Sequence, residues 1–282
     1  YGQNFDVSLE YYFEPSGLVS AGVFFKEIND FTRRIDIKAK YFWRPTLSFY
    51  ADAYNITGDV PGVRGVGRFE ISARESLEDS RYTPWIEATP ERDFILKARV
   101  ADLRPGTRYF YRVRYGPDVT RTAAGPVGRF STLPDAAAAA PVGFILTSCM
   151  NYAYFHEGDG KRPAYSGTDR ALGYPALEAV LRLQPDFCIL DGDCVYYDAP
   201  AATRAMTQPE LRRKWHEQYV QKRFVTLFAG VPTYWLKDDH DYRKNDSDPT
   251  GDYAPSHELG IATFKILVSP TPLVGPDDAS KL

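Results

Sequence analysis

Apolar and polar positions alternate by twos through residues 5–57, and each alternating run predicts a strand. In "RRIDIKAKYFW" (33–43), Ile35, Ile37, Ala39 and Tyr41 share one face, with Arg34, Asp36, Lys38 and Lys40 on the other. "PTLSFYADAYN" (45–55) repeats the pattern, while "VSLEYYFEP" and "LVSAGVFFK" follow it less cleanly. The reading is four strands of about nine residues, broken by turn residues at Pro15-Ser16-Gly17, Asn29-Asp30 and Arg44-Pro45. Aromatics collect at the strand ends, as in Tyr11-Tyr12-Phe13 and Tyr41-Phe42-Trp43. Two architectures share this pattern: a meander in an ordinary sheet and a piece of a transmembrane barrel. Four strands do not close a barrel, so the second would be a remnant.

From about residue 60 the strands shorten and the turns become denser. "GVGRFEISAR", "DFILKARVADL" and "TRYFYRVRYG" predict an all-β sandwich of immunoglobulin or fibronectin type III kind. Four or five strands are visible before "STLP" (131–134), against ~7 in a complete sandwich. "DAAAAA" (135–140) follows as a linker. Beyond residue 141, buried apolar runs alternate with helical spacing. "VGFILTS", "DFCIL" and "VPTYWL" predict strands, with "FKILVSP" (264–270) as a fourth candidate. "GYPALEAVLRLQ" and "PELRRKWHEQYVQKRFVTLFA" (209–229) predict helices between them. Such alternation implies a mostly parallel α/β sheet. The expected domains are therefore a barrel-strand-like segment 1–58, a sandwich 59–134, a linker 135–140 and an α/β domain 141–282.

The chain has 282 residues and a net charge of −3, so no nucleic-acid footprint is indicated. Its 20 Tyr and 17 Phe favour strands. Three cysteines (Cys149, Cys188 and Cys194) are too few for a disulfide framework and leave room for a thiolate ligand. No apolar run approaches the ~20 residues of a spanning helix. No leader is visible before Tyr1, and the expectation is a removed leader or a piece of a longer chain.

In parallel sheets, functional groups gather beyond the carboxyl ends of the strands. Here "TSCMN" offers Ser148, Cys149 and Asn151, "DGDCVYYD" offers Asp193 and Tyr196, and "KDDHDYRKND" offers Asp238, Asp239, His240 and Asn245. Taken singly, each has a plain alternative: a small core cysteine, a helix cap, a solvated turn. Together they would repel one another at one sheet edge unless cations neutralise them. Mixed S, O and N donors suit a pair of metals better than one structural zinc.

The motifs "SC" (148–149), "GDCVY" (192–196), "DDHD" (238–241) with Asn245, and "VSPTPLVGPD" (268–277) resemble PhoD-like phosphatases of the calcineurin-like metallophosphoesterase superfamily. The resemblance covers residues 60–282. It implies an α/β metallophosphatase domain, preceded by the sandwich, that hydrolyses phosphate esters at a dinuclear site. By position, Asp193 would bridge two cations, and Cys149 and Tyr196 would bind the first, an iron(III)-like ion. Asp238 or Asp239 and Asn245 would hold a second, divalent ion such as calcium. His240 would contact the phosphoryl or leaving-group oxygen, and Lys237 and Arg243 could attract phosphate or simply serve solubility. The superfamily's later histidine and aspartate ligands find no convincing match at His156, His216 or His257, so the expectation is the first half of a catalytic domain whose C-terminal half is missing. Separately, "NFDVSLEYYFEPSGLVSAGVFFKEINDF" and "LSFYADAYNITGD" resemble the last strands of TonB-dependent outer-membrane receptors. Together the two resemblances imply a periplasmic, secreted or outer-membrane-associated bacterial protein. The competing expectation is an inactive truncated fusion that acts as a binding protein at the outer membrane.

Overall fold

The computed structural model describes residues 4–13, 17–26, 35–40, 62, 64–135, 137, 138 and 140–268. Strands β1 (Asn4–Phe13) and β2 (Gly17–Lys26) pair antiparallel, with Phe13 opposite Gly17. They lie in one compact unit, Tyr1–Arg33, and Arg34–Leu282 forms another. The strand expected over 45–55 falls outside the described residues.

The second unit begins with β3 (Ile35–Lys40) and continues through β4 (Gly65–Ser72), β5 (Arg81–Tyr82), β6 (Ile86–Ala88), β7 (Ile95–Val100), β8 (Arg108–Asp118), β9 (Arg121–Ala124) and β10 (Gly128–Ser131). β3, which the sequence pattern groups with residues 1–58, pairs antiparallel with β7, Ile35 opposite Val100. The other strands form a second antiparallel sheet in the order β10-β8-β4-β5, with β6 on β4 and β9 on β8. Period-two alternation builds the core between these layers. Phe69 and Ile71 of β4, Val113 of β8 and Phe130 of β10 pack with Leu96, Ala98 and Val100 of β7.

Next come β11 (Phe144–Thr147), helix α1 (Tyr152–His156), α2 (Ala176–Leu183), β12 (Phe187–Asp191), α3 (Gln208–Tyr219), α4 (Lys222–Gly230), β13 (Thr233–Leu236) and α5 (His257–Leu267). The three strands are parallel, with β12 in the centre and Leu190 flanked by Thr147 and Trp235. Cys188 and Leu190 share one buried core with Leu211 and Trp215 of α3 and Phe224 and Leu227 of α4. Helix α3 starts where Thr207 and Glu210 form a capping box with a proline in the first turn. Within the described part of the fourth strand expected over 264–270 no strand forms, because residues 257–267 are helical. The Ser256 side chain accepts from Leu259 N at the cap, and Gly260, Thr263 and Leu267 are buried at helical spacing, which outweighs the β-prone wording of the segment. Among the described residues no helix is long and apolar enough to cross a membrane.

Leu190 is fully buried in the central strand. Leu190→Ala should therefore cost about 2–5 kcal/mol of stability, measured by urea unfolding with an unchanged slope. A loss below about 1 kcal/mol would mean that the strand is not the packed centre described.

Candidate metal centre

Because β11, β12 and β13 are parallel, their carboxyl ends open on one edge of the sheet. The chain leaves the first two strands through left-handed backbone. Cys149 has φ 59°, Gly192 φ 76° and Asp193 φ 50°. Gly192 is required there, since a Cβ would stand 2.4 Å from the Cβ of Asp238. Backbone and side-chain bonds tie the three loops together. Met150 N donates to Asp193 O (3.2 Å) and Tyr197 N to His240 O (3.1 Å). The buried Asp241 carboxylate accepts Cys194 N at 2.9 Å and Asp238 N at 2.8 Å.

This brings most of the expected donors together. Asp193 Oδ2 accepts the Tyr196 hydroxyl at 2.7 Å and lies 3.5 Å from Cys149 Sγ. Asp193 Oδ1 is buried with no hydrogen-bond partner among the described residues. One ligand atom each from Asp193, Asp239 and His240 lies within 4.8 Å of the others. Asp238 lies outside that group. It is exposed and accepts Asp239 N at 2.9 Å. Asn245 is exposed beside the edge. Its backbone N–H donates to Asp198 Oδ2 (2.9 Å) and its side-chain amide to Asp246 Oδ2 (2.6 Å). Asp246 N donates to Asp239 Oδ2. Asn151, offered by the first strand end, instead caps α1 by accepting Tyr154 N, and its amide donates to Ala199 O.

The electrostatics follow from this crowding. Burial pushes the Tyr196 phenol well above its usual range, and its bond to the Asp193 carboxylate adds to the shift. Burial also lifts Asp241 to about 7, against the opposing hydrogen bonds from Cys194 and Asp238. Burial alone would depress His240. The hydrogen bond and charge of Asp198, helped by Asp193 and Asp239, overcome it and leave the imidazole raised. His240 Nδ1 sits 2.7 Å from Asp198 Oδ1, and its ring lies over Tyr196 with centroids 4.3 Å apart. Asp198 therefore fixes the imidazole's orientation and leaves Nε2 as the nitrogen for a ligand or substrate. Neither Asp198 nor Asp241 was assigned a role from the sequence, although each closes a motif it displays.

Arg243 requires a correction. It is 2 % exposed, and its guanidinium donates to five backbone carbonyls, those of Pro255, Asp248, Thr250, Gly251 and Tyr253. A side chain with its donors spent on the 248–255 loop serves neither phosphate attraction nor surface solubility. Lys237 lies 4.1 Å from the centroid of the Tyr242 ring, a cation–π contact.

The donor set fits cations. An unpaired buried carboxylate oxygen, a second carboxylate and an imidazole meet where a thiol and a phenol also converge. Residues 61–134 match the family described as PhoD-like phosphatase, N-terminal domain. The resemblance to PhoD-like phosphatases holds. Among solved structures, PhoD matches with a TM-score of 0.57 and 20% identity, covering 79% of this chain and 42% of its own. The chain thus spans less than half the length of the PhoD it matches. A purple acid phosphatase from yellow lupin (Lupinus luteus) seeds matches with a TM-score of 0.48 and 11% identity, covering 76% of this chain and 38% of its own. No curated protein matches the chain. The PhoD likeness establishes a shared fold, whose strand ends here carry the donors described.

Arg243→Met should strip the 248–255 loop of its donors and lower stability by at least about 2 kcal/mol, read by thermal unfolding, with early proteolysis in that loop. Arg243→Lys should recover little, because an ammonium lacks the planar fork. Wild-type stability in both variants would mean that the buried guanidinium is not the pin.

Proposed function

We propose that this chain carries the metal-binding centre of a phosphoesterase and that it hydrolyses phosphate esters. The observation that carries the reading is the buried Asp193 carboxylate, with Oδ1 unpaired and a ligand atom within 4.8 Å of those of Asp239 and His240. In this reading Asp193, Cys149 and Tyr196 would hold one cation, and Asp193 with Asp239 and Asn245 would hold a second. A thiolate and a phenolate suit iron(III), and oxygen donors suit a divalent ion such as calcium. Such a pair would supply charge neutralisation for the phosphoryl oxygens and a more acidic water. The sandwich is read as an incomplete fibronectin type III-like module. Five protein donors are few for two cations, so such a pair would also need water or further donors.

The residues of this chain have distinct tasks. Asp193 and Asp239 fix the two positions, because each is held by loop bonds before anything binds. Tyr196 is kept protonated by burial and by the Asp193 carboxylate, so a cation held there would have to displace that proton to solvent. His240, held by Asp198 through Nδ1 and raised by the surrounding carboxylates, carries a proton at Nε2 to the leaving-group oxygen.

Asp193→Asn should lower occupancy of both ions, measured by elemental analysis after loading with iron and calcium, because a lost bridge is lost to both. Loss at a single site would show Asp193 to be a terminal ligand. His240→Ala should keep its metals and lower turnover of a chromogenic phosphate ester by about 10²–10⁴-fold. Loss of metal instead would make His240 a ligand.

A further inference from the structure

Each of the proposed donors Cys149, Asp193 and Tyr196 is followed by a residue that α3 holds. Gln218 Nε2 donates to the Met150 carbonyl at 3.2 Å. The Tyr219 hydroxyl donates to the Cys194 carbonyl at 2.8 Å. Trp215 Nε1 donates to the Tyr197 hydroxyl at 2.6 Å. Trp215, Gln218 and Tyr219 stand at i, i+3 and i+4, so one stripe of one helix grips the loops after both β11 and β12.

The adjoining stripe of α3 grips the sandwich. Arg212 donates from Nη1 to the Pro90 carbonyl (2.9 Å) and from Nη2 to that of Glu91 (3.2 Å). His216 Nε2 lies 2.7 Å from Asp93 Oδ2, with the two side chains 1% and 4% exposed. Asp93 and Phe94 are consecutive non-glycine residues at φ 52° and 55°. Such backbone persists only where its surroundings hold it. Ile95, the next residue, enters the core beneath the parallel sheet, while Leu96 enters the sandwich core.

We infer that the 90–94 turn of the sandwich positions the metal centre through α3, with Asp93 and His216 as positioning residues. The physical reason is shared leverage. One rigid helix is fixed on one stripe by the sandwich and clamps all three post-donor residues with another, so displacing the helix displaces three donors together. Metal geometry tolerates errors of only about 0.5 Å, so this support is functional as well as structural. The inference rests on the metal-centre reading of Cys149, Asp193 and Tyr196, but its test does not need bound metal.

The test is amide hydrogen exchange, followed by mass spectrometry, on the full chain. Asp93→Asn preserves shape and removes the charge that holds His216. Exchange in peptides spanning 148–151 and 192–198 should rise about tenfold while β4 and β8 stay at wild-type rates. Trp215→Phe keeps an aromatic ring in the core and removes the indole N–H, and it should loosen 192–198 in the same way. Lys97→Met is the control. It cuts a different contact across the same boundary, Lys97 Nζ to the carbonyls of Lys265 and Ile266, and should leave both loops unchanged. In iron-loaded protein, Asp93→Asn and Trp215→Phe should weaken iron binding about 10–100-fold. Wild-type exchange of both loops in these two variants, or a rise spread evenly over the chain, would overturn the inference. If Asp93→Asn does not fold, Arg212→Met, which releases the Pro90 and Glu91 carbonyls from α3, takes its place with the same expected rise. Failure of the wild type to take up metal would count against the metal reading, with the exchange data still judging the coupling.

Discussion

The fully buried carboxylate of Asp241 is the contact on which the strand-end edge depends. One oxygen accepts Cys194 N from the loop after β12, and the other accepts Asp238 N from the loop after β13. Without it, the loops that carry Asp193 and Asp239 would be held together chiefly by the Tyr197 N to His240 O bond and the Asp198 contacts, nearer the surface. The arrangement places one buried carboxylate near another, and burial with that repulsion lifts Asp241 towards neutrality. Cations at the edge would relieve the strain in the direction that keeps Asp241 charged and its two amide bonds strong.

The same logic explains the layers of support. Gly192 and Asp193 both turn in left-handed backbone, and Gly192 passes close to Asp238. Asp198 orients His240 and takes the Asn245 amide, so one carboxylate serves both the imidazole and the loop that carries Asn245. Arg243 locks the following loop from inside through five carbonyls and a stack on the Tyr253 ring. Helix α3 closes the set from behind and bonds both to the turn at Asp93 and to the residues that follow Cys149, Asp193 and Tyr196.

What the sequence reveals and conceals here follows from range. The three strand ends are legible because apolar runs stop abruptly at clustered acids, thiols and phenols, a local signal. The choice between Asp238 and Asp239 is not legible, because it turns on which carboxylate meets Asp193 once the sheet has formed. Asp198 and Asp241 display their charges, but their partners lie 42 and 47 residues away. Arg243 looks like a surface charge because its partners are backbone carbonyls, which leave no mark in a sequence. The segment 264–270 reads as a strand from its apolar run, yet the cap at Ser256 decides for helix eight residues earlier. Residues 35–40 alternate as a strand in either reading, and only pairing with β7 shows which sheet receives them.

The central claim is that Tyr196 and its neighbours hold a metal ion, and absorption spectroscopy tests it most directly. The phenol is protonated in the metal-free protein, since burial and Asp193 both disfavour the phenolate. Ferric iron bound at Cys149, Asp193 and Tyr196 should reverse that and develop a visible phenolate-to-iron charge-transfer band. Tyr196→Phe should abolish the band while the fold is kept. A colourless iron-loaded wild type, or a band that survives Tyr196→Phe, would contradict the account.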